Sequence, residues 1–201
     1  MKVLTVIPIK RLGEAKSRLS ASLDPSQRSA RATSLLRSTV AAIHSCASID
    51  GLALVSPDRS VLDVAASLRA APIWQSAGGL NDGLALGRAW AAQQGADALL
   101  ILLPDLPMLV SSELAAMVAL STPGSVVLAP DRRDEGTNAM LLNPPSAIAF
   151  QFEGGSYLRH RLAAEAAGLH VVVHRAPGLS FDLDTPDDLD ELRYLRPILG
   201  L

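Results

Sequence analysis

Residues 99–107 read LLILLPDLP, five consecutive apolar side chains that run directly into Asp105, itself set between Pro104 and Pro107. A run this short and this uniformly apolar predicts a strand over 97–103 buried on both faces, as in a parallel sheet. The two prolines end that strand and stiffen the turn behind it. Asp105 then stands at the carboxyl end of a central strand, where open α/β sheets bind ligands, and a carboxylate there is a seat for a metal. A plain turn aspartate between prolines is the other reading this stretch allows.

The surrounding composition agrees with an α/β protein. The chain has 201 residues, 49% of them hydrophobic but only 3% aromatic, so the core must be built from Leu, Ala, Val and Ile. That length predicts one domain spanning 1–201. A net charge of −2 argues against a general nucleic-acid binder, so any basic patch has to be local. The lone Cys46 has no partner for a disulfide or a thiolate metal site, which predicts a reducing, cytoplasmic setting. The apolar run near the N-terminus is broken by Pro8 and has no small-residue cleavage site behind it, so no signal peptide is expected. No apolar stretch reaches the roughly 20 residues of a membrane span, and the chain is expected to be soluble.

Outward from residue 105, strands and helices alternate. Strands are predicted over 3–9, 51–55, 71–74, 125–129, 139–142 and 171–174, and helices over 60–68, 112–120 and 157–167. Asp24, Pro25 and Gln27 mark a helix start by N-cap, first-turn proline and capping box, with the helix running to about residue 45. Thr185-Pro186-Asp187-Asp188 opens the last helix by the same logic. In 76–90, SAGGLNDGLALGRAW, Gly78-Gly79 makes a turn and Asn81 or Asp82 caps a helix through Gln94. The pattern predicts a mostly parallel sheet with an antiparallel insertion near 125–175.

Three groups carry chemistry. The loop KRLGEAKSRL, 10–19, holds Lys10, Arg11, Lys16 and Arg18 behind the first strand. These cations either face water or hold a polyphosphate, and without a GxxxxGK[ST] or GxGxxG motif any such grip uses side chains. Asp182 and Asp184, two apart, share a face of an extended segment. With Asp105 they would form an oxygen site for a hard dication, unless Asp184 caps the final helix and Asp182 is merely solvated. The helix opened by Gly154-Gly155-Ser156 offers backbone N–H groups to an anion. The four histidines lack metal-ligand spacing and no serine lies in a G-x-S-x-G elbow, so zinc and hydrolase triads are not expected. Metal carboxylates with phosphate-binding cations are the two halves of a nucleotidyl-transfer site.

The ordered set PIKRLGEAKSRL, GGLNDGLALG, LLPDLP, APDRRDEGTNAMLL, GGSYLRH and FDLDTPDDL covers nearly the whole chain. It resembles the 2-phospho-L-lactate guanylyltransferase family of coenzyme F420 biosynthesis. The resemblance implies a single-domain nucleotidyltransferase (GT-A-like) three-layer α/β sandwich with a mostly parallel mixed sheet. It implies transfer of GMP from GTP to a three-carbon phospho-acid with release of pyrophosphate. The acceptor stays open among 2-phospho-L-lactate, phosphoenolpyruvate and 3-phospho-D-glycerate. By the resemblance, Lys10 and Lys16 meet the triphosphate, Leu80 and Asn81 lie beside guanine, and Lys16 and Asp105 are the catalytic pair. Asp105, Asp182 and Asp184 hold Mg²⁺, while Thr137, Asn138, Gly155 and Ser156 hold the acceptor. The chain departs from the family's F-G-x-x-S pattern in having Glu153 after Phe152. The expected partners are GTP and the phospho-acid, with hand-off of the product to the next transferase and a homodimer as further expectations, and neither nucleic acid nor membrane. Two other readings stay open: a molybdopterin guanylyltransferase or sugar-nucleotide enzyme of the same fold, and a non-catalytic nucleotide-binding module.

Overall fold

The computed structural model describes residues 1–11, 19–20 and 22–199. Seven strands form one sheet in the order β3-β2-β1-β4-β6-β5-β7. They are β1 (Val3–Pro8), β2 (Gly51–Ser56), β3 (Ala71–Trp74), β4 (Ala98–Leu102), β5 (Ser125–Pro130), β6 (Thr137–Asn143) and β7 (His170–Val173). The helices are α1 (Pro25–His44), α2 (Arg59–Asp63), α3 (Leu80–Gln93), α4 (Ser111–Ala119), α5 (Ser156–Ala166), α6 (Pro177–Ser180) and α7 (Pro186–Leu199).

β4 lies at the centre and is buried along its whole length, as its sequence predicts. Leu100 and Leu102 point into the core beneath α1, α2 and α4, whereas Leu99 and Ile101 point into the core beneath α3 and α5. Helices on both faces make three layers.

The antiparallel insertion is narrower than expected. Only β6 runs against its neighbours, pairing antiparallel with both β4 and β5, while β5 and β7 are parallel. The reason is connection length: the short loop 131–136 joins β5 to β6 as a hairpin, while the parallel pairs are joined through longer segments.

Local signals hold where they are strong. Asp24 caps α1 with the full capping box to Gln27. The 60–68 segment is only partly regular helix: after Asp63 it winds through turns. It closes with Ala70 N–H on the Ala65 carbonyl and Arg69 N–H on the Ala66 carbonyl, Arg69 taking φ 49°. That is a Schellman ending with arginine in the place glycine usually fills.

Candidate active site

The rim at the carboxyl end of β4 and β1 gathers the predicted acidic residues. Leu183 N–H donates to the Asp105 carbonyl at 3.0 Å, which stitches 181–184 to the turn behind β4. That segment is extended but pairs as no strand. Its alternation comes from Phe181 and Leu183, buried in a small core with Leu35, Leu189 and Leu192. Asp182 and Asp184, both half-buried, fall on the other side together. Burial, then the charges of Asp105 and Asp184, push Asp182 up to about 6, against a hydrogen bond from Asn138. Three carboxylates that repel one another in a partly desolvated rim suit a dication, which would relieve that repulsion. Among the described residues, no three His, Cys, Asp or Glu side chains form a ready-made cage. That is compatible with Mg²⁺, which keeps several waters and completes its shell with substrate phosphates around one or two carboxylates.

Of the four acceptor candidates, Thr137, Gly155 and Ser156 lie together at the start of β6 and α5, while the Asn138 side chain turns to α6. Thr137 and Asn138 begin β6, and Thr137 N–H donates to Ser156 Oγ at 3.0 Å. Thr137 Oγ1 lies 3.0 Å from His160 Nδ1, and Asn138 Nδ2 donates to the Leu179 carbonyl at 3.0 Å. Thr137, Asn138 and Ser156 are buried. Gly155 occupies the N-cap of α5 at φ 73°, a conformation that needs glycine there. The N–H groups at this helix start are not all available to an anion, because that of Tyr157 is bound to the Glu135 carbonyl. Glu153 is exposed, and among the described non-glycine residues only Arg69 and Asp134 take positive φ. A side chain at residue 153 therefore fits without backbone strain.

On the side expected to meet the nucleotide, α3 packs so closely on β1 that a Cβ at Gly87 would lie 2.6 Å from Val6 Cγ1. This places Leu80 and Asn81, its first residues, at the same sheet edge. The capping differs from expectation: Gly79 is the N-cap, and Asp82 serves it from one turn in, accepting the Gly79 N–H at 2.8 Å. The Asn81 amide faces the other half of the site. It donates to the Phe152 carbonyl at 3.1 Å and accepts the Phe152 N–H at 2.9 Å. Lys10 is exposed just past β1. Lys16 and its role lie outside the described residues.

Sequence reasoning passed over two residues that organise this rim. Arg132 stacks on the Phe181 ring at 4.0 Å and binds Asp188 at 2.6 Å and Glu191 at 2.5 Å. Burial lowers its pKa, but Glu191, Asp188 and Asp182 outweigh that and raise it. Asp188 meanwhile completes a reciprocal cap with Thr185 at the start of α7, so the capping role considered for Asp184 belongs to Thr185 and Asp188. His160 is the second, and the only signal for it was its place five residues after Gly155, in the helix that Gly155 opens. Asp131 was legible in principle as an Asx turn: its carboxylate accepts the N–H groups of Arg133, Glu135 and Gly136.

Comparison with known proteins follows the same lines. A relative from Sphaerobacter thermophilus named phosphoenolpyruvate guanylyltransferase is 45% identical over 198 residues, covering 98% of this chain and 96% of its own. A 3-phospho-D-glycerate guanylyltransferase from Colwellia psychrerythraea is 29% identical, over 97% of this chain and 93% of its own. A Methanothermobacter nucleotidyl transferase shares the fold, with TM-score 0.71 at 14% identity over 98% of this chain and 99% of that one. The model of the family described as "Guanylyl transferase CofC like" matches residues 1–195. With its acidic rim and buried hydroxyl pair at one edge of a nucleotidyltransferase sheet, the chain belongs to the CofC-like guanylyl transferase family.

Proposed function

We propose that this chain joins the GMP moiety of GTP to phosphoenolpyruvate and releases pyrophosphate, a step of coenzyme F420 biosynthesis. The observation that carries the reading is the junction of the acidic rim with the hydroxyl pair. Leu103 N–H, two residues before Asp105, donates to the Asn138 carbonyl at 3.0 Å, and Asn138 stands next in sequence to Thr137, whose amide is bound to Ser156. The start of β6, which bears the hydroxyls, is thereby tied to the end of β4, from which Asp105 projects. The names of the relatives favour phosphoenolpyruvate over 3-phospho-D-glycerate and 2-phospho-L-lactate as the acceptor.

The chemistry asks little of the protein beyond position and charge. The acceptor's phosphate is already anionic at neutral pH, so it attacks without a general base. Lys10, and Lys16 beyond the described residues, would neutralise the triphosphate, and Thr137 and Ser156 would orient the acid. Asp105, Asp182 and Asp184 would hold Mg²⁺, which supplies positive charge for the departing pyrophosphate. The product would then pass to the next transferase.

The test is pyrophosphate release from GTP with each of the three acids, the product identified by mass. The expected result is GTP-specific release with phosphoenolpyruvate giving the highest kcat/KM. Release with a sugar phosphate but with none of the acids would replace this reading by that of a sugar-nucleotide enzyme.

A further inference from the structure

His160, on α5, is fully buried, and both of its ring nitrogens are engaged. Nε2 lies 2.9 Å from the backbone N of Gln151, and Nδ1 lies 3.0 Å from Thr137 Oγ1. A backbone amide can only donate, so Nε2 is the acceptor and the proton of the neutral ring is assigned to Nδ1. Burial, then the nearby Arg159 charge, holds the ring neutral by lowering its pKa to about 4. The Phe152 ring packs edge-on against it at 4.7 Å and fixes its plane.

The consequence falls on Thr137. Its Oγ1 accepts from Nδ1–H, so its own proton is turned away from the imidazole. Ser156 Oγ is in the same condition, since it accepts the Thr137 N–H. Both hydroxyls accept from the protein, which leaves their protons to donate elsewhere, the polarity an anionic oxygen requires. A hydroxyl left free to rotate would present lone pairs to that anion part of the time.

We propose that His160 is a positioning residue for the acceptor. Its Nδ1–H sets the Thr137 hydroxyl as a donor to an anionic oxygen of the phospho-acid, and its Nε2 holds the Gln151 amide and the loop behind it in register. This inference rests on the proposed acceptor role of Thr137.

The experiment separates the two nitrogens. Asparagine places an amide nitrogen near the position of Nδ1, and glutamine places its amide near Nε2. Steady-state pyrophosphate release is measured with GTP saturating and phosphoenolpyruvate varied, for His160→Gln, His160→Asn, Thr137→Val and the double variant His160→Gln/Thr137→Val, with thermal unfolding as the check on folding. In His160→Gln the Gln151 bond is kept and the Thr137 donor is lost, so the acceptor KM should rise about 3- to 10-fold with the GTP KM unchanged. His160→Asn should lose thermal stability yet keep the acceptor KM within about twofold. In the Thr137→Val background, His160→Gln should change acceptor kcat/KM no further. Wild-type acceptor KM in His160→Gln, or independent effects in the double variant, overturns the proposal. Should the glutamine variant not fold, an acceptor KM in His160→Asn raised as far as in Thr137→Val overturns it equally. Unchanged acceptor kinetics in Thr137→Val itself would instead overturn the acceptor-site reading.

Discussion

Asn81 and Phe152, 71 residues apart in sequence, exchange two hydrogen bonds between one side-chain amide and one backbone residue. The asparagine acts as a short piece of pairing strand that ties the start of α3 to the loop before α5. Asn81→Ala leaves a half-buried N–H and C=O without partners, at a cost of about 1–3 kcal/mol. The urea midpoint should fall with the slope unchanged. Asn81→Asp should be at least as damaging, because an oxygen then faces the Phe152 carbonyl.

Asp105→Asn keeps the shape of the turn and the backbone carbonyl that binds Leu183, but removes one of three mutually repelling charges. The thermal midpoint of the metal-free protein should be retained, while kcat/KM for GTP falls at least about 100-fold as the charge for the dication is lost. Near-normal turnover would make Asp105 a turn residue only.

His160 gives a pH dependence of fixed sign. Its folded pKa of about 4 lies below the ordinary 6.5. Above 6.5 neither state binds the proton, so the full contribution is present; as the pH falls, the unfolded chain takes up a proton that the folded ring refuses, and stability drops until about pH 4. Between pH 7 and 5 this amounts to about 2 kcal/mol. Asp182, with its raised pKa, stabilises the fold as pH falls through the same window. The measurement is therefore the difference between wild type and His160→Asn in urea unfolding at the two pH values, and it should narrow toward pH 5. A constant difference would show that the ring is not held neutral.

Arg132 ties the loop after β5 to α7 and covers Phe181 beside the Asp182 backbone. Its side chain is about one-third exposed, so Arg132→Ala should cost only about 1–2 kcal/mol. The larger effect should be on turnover, through a loosened 181–184 segment. Arg132→Lys should restore little of it, because an ammonium cannot reproduce the two-carboxylate fork and the flat stack on the ring. Full rescue by lysine would reduce the role to charge alone.

What was legible in the sequence was what local chemistry decides. Asp24, Pro25 and Gln27 sit within four residues of one another, and the capping box they announce forms as read. The uniform apolarity of 99–103 announced a strand buried on both faces, and the spacing of Asp182 and Asp184 announced a shared side. The reason for that shared side was not legible: it is set by Phe181 and Leu183 entering a core with α7, not by a strand ladder. Asn81 was equally opaque, because its partner is a backbone group across the fold, and backbone groups leave no mark in side-chain patterns. His160 was set aside for lacking metal spacing, although its two neighbours are a hydroxyl and an amide that no histidine motif encodes.

The acceptor end yields the sharpest test. Ser156 Oγ accepts the Thr137 amide, which leaves its own proton for the proposed acceptor. Ser156→Ala removes that donor and orphans a buried N–H, so both the pocket's shape and its charge complementarity suffer. A hydrogen bond to a charged group contributes about 1.5–3 kcal/mol, which converts to roughly 10- to 100-fold in acceptor kcat/KM. GTP affinity, measured by calorimetry, should change far less. Loss of GTP binding with acceptor KM preserved would mean that the two ends of the site are reversed. Glu153→Gly refines the test. Because Glu153 is exposed and its backbone does not need glycine, the order of preference among phosphoenolpyruvate, 3-phospho-D-glycerate and 2-phospho-L-lactate should survive the substitution. A changed order would show that this carboxylate reaches the bound acid and selects among acceptors by repulsion.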